Sequence, residues 1–273
     1  MERISRGFRL LGASWNVLRT DKELLVLPVI SFLAIAVATA GIFGLSWLGW
    51  GGEVPERFPE GPMDYVAIGL FYFVAYFIGI FFNAAVVGAA MIRLQGGDPT
   101  VRDGLRLAAS KTGKIAGWAA ISATIGLILR ALEERLGFLG DLIVGLIGVV
   151  WGAITFFVVP VLLYEEAGAV EGIKRSASIF RRRWGEQFTG NVSIGLAMFL
   201  IALPLAAVVA LLFAMSALLG IVVGVLAFGL LAAVGSALSG VFNAALYRYA
   251  TTGEAGGAFT EDDLASSFRP RGA

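Results

Sequence analysis

FTGNVSIGLAMFLIALPLAAVVALLF, residues 188–213, runs for 26 positions without one Asp, Glu, Lys or Arg. A helix needs about 20 apolar residues to cross the hydrocarbon core of a bilayer. Inside that core every backbone amide has to be paired within the segment or with a neighbour, so a run of this kind is a helix. Working outward, similar blocks occupy Leu24–Trp50, Tyr65–Ile92, Leu139–Tyr164 and Leu218–Tyr249, with a shorter one at Ile115–Leu132. The expected fold is all-α, a polytopic membrane bundle of six transmembrane helices. Composition agrees: 58% of the 273 residues are hydrophobic and 15% charged, whereas a soluble domain carries about 25% charged residues.

The cations are placed unevenly. With the N-terminus assigned to the cytoplasm, Lys and Arg number 5 before span one, 5 between spans two and three, 5 between spans four and five, and 3 after span six. The opposite loops hold only Arg57, Arg130 and Arg135, and the first of them is acidic, with Glu53, Glu56, Glu60 and Asp64. This positive-inside bias predicts a multi-pass protein of a cytoplasmic (inner) membrane with both termini in the cytoplasm. Ala38-Thr39-Ala40 has the look of a signal-peptide cleavage tripeptide. The long basic region before it and the apolar run through Trp50 favour a retained span. Seventeen Arg against four Lys points to a GC-rich prokaryote.

Three segments on the cytoplasmic side share a pattern: GFRLLGAS at Gly7–Ser14, GLRLAAS at Gly104–Ser110 and GIKRSAS at Gly172–Ser178. Phe82-Asn83-Ala84-Ala85 is echoed by Phe242-Asn243-Ala244-Ala245, and the middle of the chain carries Pro160 near the corresponding place. Together these predict a threefold internal repeat of surface helix plus hairpin, with units 1–93, 94–164 and 165–250 in one transmembrane domain and a cytoplasmic tail at 251–273.

The surface segments read as amphipathic interfacial helices. At 100° per residue Ile4, Phe8, Leu11, Trp15 and Leu18 form one stripe, with Arg3, Arg6 and Arg9 opposite; Ile173, Ala177, Phe180 and Trp184 form another, flanked by Lys174, Arg175, Arg181, Arg182 and Arg183. Val101, Leu105 and Ala108 give a weaker third. Basic helices with aromatic faces suit the headgroup boundary, so the eight named cations are candidate lipid-headgroup contacts and Trp15, Phe180 and Trp184 candidate interfacial anchors. The plainer reading is that the charges set topology while the stripes pack on the bundle.

Asn83 and Asn243 are the intramembrane polar residues of interest. Either they join helices by hydrogen bonds, or they line a cavity with Thr155, Asn191 and Ser193. Close helix approaches are expected at Gly148/Gly152 and Gly220/Gly224, and kinks at Pro160 and Pro204. The tail offers an apolar edge in Phe259, Leu264 and Phe268, behind a helix cap at Thr260 and Asp263.

Several function classes drop out. Without Cys or His there are no disulfides, thiol nucleophiles, haem attachment or His-based sites. No ionisable group sits deep in a span, which disfavours ion-coupled transport. Glu165, Glu166 and the Arg130, Glu133, Glu134, Arg135 cluster read as solvated helix ends. No catalytic residue, metal site or cofactor is expected.

RISRGFRLLGASWNVLRTDKELLVLP at 3–28, VVPVLLYEEAGAVEGIKRSASIFRRRWGEQ at 158–187 and FTEDDLASSFRPR at 259–271 together resemble a family of uncharacterised prokaryotic six-span membrane proteins. The chain is also distantly similar to the membrane-domain group attached to some glycerophosphodiester phosphodiesterases. That resemblance rests on Glu165 or Glu166 followed by Lys174, Arg175 and Ser176; no phosphodiesterase domain accompanies it, and it implies no catalysis here. The expected function is non-enzymatic: binding or organising anionic membrane lipids, or scaffolding another membrane protein, through the basic helices. The alternative is a channel or carrier for a small or amphipathic molecule, by a path near Asn83 and Asn243. Glycine-rich faces suit a homo-oligomer, and a net charge of +1 gives no reason to expect nucleic acid.

Overall fold

The computed structural model describes residues 2–49, 51, 61–183, 189–257, 259–260 and 264, with side chains for all of these except 2–8, 137–139, 141–142, 182–183 and 189–193. The described residues form α1 (Glu2–Thr20), α2 (Glu23–Gly49), α3 (Pro62–Leu94), α4 (Val101–Ser110), α5 (Thr112–Thr155), α6 (Val158–Tyr164), α7 (Ala169–Arg183), α8 (Thr189–Met215) and α9 (Ala217–Thr252). Six segments are long and apolar enough to cross a membrane: Glu23–Gly49, Pro62–Leu94, Thr112–Leu136, Ile143–Tyr164, Ile194–Met215 and Ala217–Thr252. The protein is an all-α multi-pass membrane bundle.

α5 covers 44 residues, yet the rings of Trp118 and Trp151 within it stack at 5.9 Å. A straight helix would separate them by about 50 Å at 1.5 Å per residue. The chain therefore reverses between them, near Gly140, where a Cβ would lie 2.9 Å from that of Leu136. The other tight reversal is at Ser216, which caps α9 by accepting from the Leu219 amide at 3.5 Å. Gly220 admits the return: a Cβ there would meet the Phe213 backbone at 2.5 Å. Gly224 similarly faces Val209, whereas Cβ atoms on Gly148 and Gly152 would meet nothing within 4 Å. The close approach expected at Gly148/Gly152 is thus absent among the described residues. Pro204 sits inside a continuous α8, while Pro160 follows a break between α5 and α6.

Burial is concentrated towards one end of the spans, here termed basal. α2 buries Leu24, Leu27, Pro28 and Ser31, near its start, and α3 buries only residues between Ala84 and Leu94. Distal residues such as Val37, Leu45, Leu211 and Phe213 are exposed, as apolar side chains are when lipid is the solvent.

The short helices cover the basal end in a cyclic order. α4 packs on α3, α7 on α5 and α6, and α1 on α8 and α9. Each of α4 and α7 thus sits on the hairpin before it in the chain, and α1 sits on the last. Leu18 and Ala108, both in the expected apolar stripes, are fully buried, but most of the buried edge of α1 and α7 lies one position before the stripe. α1 buries Leu10, Ser14, Val17 and Leu18, α4 buries Gly104 and Ala108, and α7 buries Gly172, Ser176 and Ile179. At 100° per residue that turns α1 and α7 by about a quarter of a turn from the amphipathic expectation, and α4 by about half as much. Small residues allow it: a Cβ on Gly104 would lie 2.5 Å from the Ala85 carbonyl oxygen, and one on Gly172 3.1 Å from Leu162. The more apolar edge, with Leu11, Leu105 and Ile173, stays half-buried at the rim.

Gly253, at φ 77°, ends α9. Beyond it Phe259 and Leu264 are buried in the same core cluster as Val17 and Leu94, so the apolar edge expected of the tail docks on the basal end. Asp263 and Phe268 lie outside the described residues.

Candidate functional site

At the basal end the cations divide into tethers and open charges. Arg93, at the end of α3, pairs with the buried carboxylate of Asp21 and, at 2.7 Å, with Asp98. Arg248 donates to the Leu94 carbonyl and pairs with Glu254 at 3.1 Å. Lys111 and Lys114 each reach Glu166 at 3.3 Å, and these contacts hold its carboxyl below the usual carboxylate range, the hydrogen bond from Lys111 contributing most. Arg175 pairs with Glu165 at 2.8 Å, and Glu165 also accepts from the Tyr247 hydroxyl at 3.1 Å. Arg175 is therefore a tether, as well as a candidate headgroup contact.

Lys174 and Arg181 project from α7 and are exposed, as is Arg9 on α1. Arg3, Arg6, Arg182, Arg183 and Trp184 carry side chains outside the described residues. Among the anchors, Trp15 is 48% exposed beside the bundle, while Phe180 is half-buried against the core. Arg19, Lys22, Arg102 and Arg106 are further exposed cations on the same end. They count in the charge tally but lie off the two clearest helix stripes.

The break before Pro160 shows how the polar residues work. Proline has no N–H, so the carbonyl of Phe156, four residues back, loses its helical donor. The Asn243 side-chain amide on α9 donates to that carbonyl at 2.6 Å. Ser176 on α7, fully buried, donates to the Ile154 carbonyl at 2.6 Å and accepts from the Phe157 amide at 3.0 Å. Backbone groups opened by the break are thus closed by side chains from two other helices. Thr155 bonds its own helix at Trp151, and the side chains of Asn191 and Ser193 lie outside the described residues. Asn243 is therefore interhelical glue.

Asn83 has a different setting. It lines a half-open cavity of about 220 Å³ between α2, α3 and α9. A larger groove of about 500 Å³, lined only by apolar and aromatic side chains including Leu11, Trp15, Met198 and Leu230, runs between α1, α8 and α9. At the distal end Arg130 donates to the Tyr72 hydroxyl at 2.9 Å and pairs with Glu134 at 3.0 Å. No group of three metal-ligating side chains occurs among the described residues.

A family model, described as a family of unknown function (DUF6159), matches residues 62–257. No curated protein and no solved structure matches the chain.

Proposed function

The chain belongs to this family of unknown function, and we propose that it is a non-enzymatic protein that holds anionic lipid against its basal face. In this reading the basal end faces the cytoplasm of a prokaryotic cell, because that end carries the excess of Lys and Arg. One observation carries the proposal. After the tethers are satisfied, Arg19, Lys22, Arg102, Arg106, Lys174 and Arg181 remain exposed and carry no ion pair among the described residues. A cation beside an anionic membrane surface contributes about 1 kcal/mol, and these belong to three helices and a connection at the level where headgroups lie. Trp15, half-exposed on α1, suits the same level.

The ion pair of Glu165 with Arg175 and the burial of Ser176 support the distant likeness to the phosphodiesterase-linked membrane domains, as a structural motif that fastens a surface helix to a span. The seating of α4, α7 and α1 each on one hairpin likewise supports a threefold repeat.

Native mass spectrometry from nanodiscs of mixed phosphatidylglycerol and phosphatidylcholine tests the function. Replacing Lys174 and Arg181 by Gln lowers phosphatidylglycerol retention, by roughly 30-fold if each cation contributes about 1 kcal/mol. Arg130→Gln, at the distal end, leaves it unchanged. Equal retention of both lipids by the unmodified protein sinks the reading, and a co-isolated membrane protein in place of lipid would make the basal face a scaffold instead.

A further inference from the structure

The 220 Å³ cavity is lined by Pro28, Ser31, Phe32 and Ile35 of α2, by Gly79, Phe82 and Asn83 of α3, and by Gly229, Ala232, Ala233 and Ser236 of α9. Its wall is apolar except for three side chains, one from each helix. Ser31 is 9% exposed, and Ser31, Asn83 and Ser236 have no hydrogen-bond partner among the described residues. Elsewhere in the spans Thr124, Thr155 and the Asn243 amide each donate to a backbone carbonyl. Ser122, 7% exposed, also lacks a partner among the described residues but stands alone, whereas here three such side chains share one cavity. By helical rise, Ser31 lies about 12 Å from the start of α2 and Asn83 about 16 Å from the end of α3. The cavity is therefore inside the apolar slab, where a polar group without a partner costs several kcal/mol.

Three properties define what would satisfy it. The wall holds no charged side chain, which excludes an ionic ligand at this depth. Two hydroxyls and one amide supply both donors and acceptors, the set that matches a hydroxyl. A cavity of about 150 Å³ accommodates benzene, so this one has room for a polar head and the first part of an apolar tail. An apolar pocket with a few convergent polar groups is the usual form of a small-molecule site.

The geometry points to a binding site for the hydroxyl head of an uncharged amphiphile, held by Ser31, Asn83 and Ser236 with its tail against Phe32, Ile35 and Phe82. It involves none of the basal cations and stands or falls separately from anionic-lipid binding.

The test is photolabelling of the full-length protein in nanodiscs. The probe is a medium-chain alcohol with a diazirine partway along its alkyl tail, and the control is the same molecule lacking the hydroxyl. Adducts from the alcohol should concentrate on Phe32, Ile35 and Phe82, several-fold above the control, while both probes label the lipid-facing Phe199 and Leu211 alike. Gly79→Leu fills the cavity from a position where a Cβ would meet nothing within 4 Å, and should bring labelling down to the control level. Ser31→Ala combined with Ser236→Ala keeps the volume and should remove the preference for the hydroxyl. Native mass spectrometry separates two sources of the ligand. A neutral lipid that co-purifies and is lost in Gly79→Leu makes it a membrane lipid; labelling competed by a free short-chain alcohol, with no co-purified mass, makes it a small molecule. Equal labelling of the cavity by both probes, or labelling unaffected by Gly79→Leu, overturns the proposal, and the polar groups are then satisfied by water alone.

Discussion

The amide of Asn243 stands in for the N–H that Pro160 lacks, meeting the Phe156 carbonyl at 2.6 Å across 87 positions of sequence. The proline and the asparagine are therefore one device on two helices, and each is intelligible only with the other. Interhelical bonds of this type average about 0.6 kcal/mol in membranes and reach about 1.7.

Asn243→Ala should cost about 1 kcal/mol in unfolding from mild detergent. In a Pro160→Ala background, residue 160 regains an N–H able to reach Phe156, and the same substitution should become close to neutral. A double-mutant cycle on these two positions measures the coupling directly; additive effects would mean that the two residues are independent.

Ser176→Ala removes both side-chain bonds at the break and leaves the Ile154 carbonyl and the Phe157 amide without them. The expected loss is about 1–3 kcal/mol, the cost of unsatisfied buried groups. Hydrogen exchange should show it first at the start of α6, and Ser176→Thr should recover part of it if the added methyl is accommodated.

Gly104→Ala drives a methyl against the Ala85 carbonyl and should lift α4 off α3, seen as faster exchange through 101–110. Gly113→Ala, at the second residue of the next helix with nothing within 4 Å of its Cβ, should instead stabilise by about 0.4–1 kcal/mol, chiefly by restricting the unfolded chain. Opposite signs at two glycines nine positions apart would separate packing from chain entropy.

Acid should loosen the basal layer in two places. The Glu166 carboxyl is held down by Lys111 and Lys114, and that of Asp103 by the hydroxyl and amide of Thr100 at the cap of α4. A depressed carboxyl stabilises the fold above its unfolded value and stops doing so as pH falls through its folded one. The ordinary values are 4.5 and 3.8, so protection of α4 and of the 165–166 junction should be flat near neutrality. Both should decline only below those points. Exchange protection corrected for intrinsic rates reads this out, and Glu166→Gln should abolish the dependence at the junction.

The spans were legible because hydrocarbon imposes long uncharged runs, and their ends fell within a few residues of those expected. α8 begins at Thr189, beside the expected Phe188, which lies outside the described residues, and α5 begins at Thr112 against the expected Ile115. The surface helices were legible as helices but only in part in their rotation, with Leu18 and Ala108 buried as expected and α1 and α7 turned from their stripes. Amphipathicity asks which face is most apolar, whereas the seat is decided by which edge is small enough to approach a carbonyl, as Gly104 approaches Ala85. The shared polarity of Asn83 and Asn243 could not reveal their separate surroundings. A partner such as Phe156 is a backbone atom, invisible in composition, and only the nearby Pro160 hinted that a carbonyl would be left open. Ser176 stood out through resemblance alone, since one serine in a basic helix carries no spacing signal.

The cyclic seating of the surface helices also has a consequence in time. During synthesis α1 emerges first, but the hairpin it rests on, α8 and α9, emerges last. At about 5–20 residues per second, roughly ten to fifty seconds separate the end of α1 from the end of α9. α4 and α7 find their seats already made, while α1 has to wait at the membrane surface with Leu10, Val17 and Leu18 uncovered. The basal layer therefore closes in a single late event. A chain arrested before α8 should show α4 and α7 protected from protease and α1 still open to it.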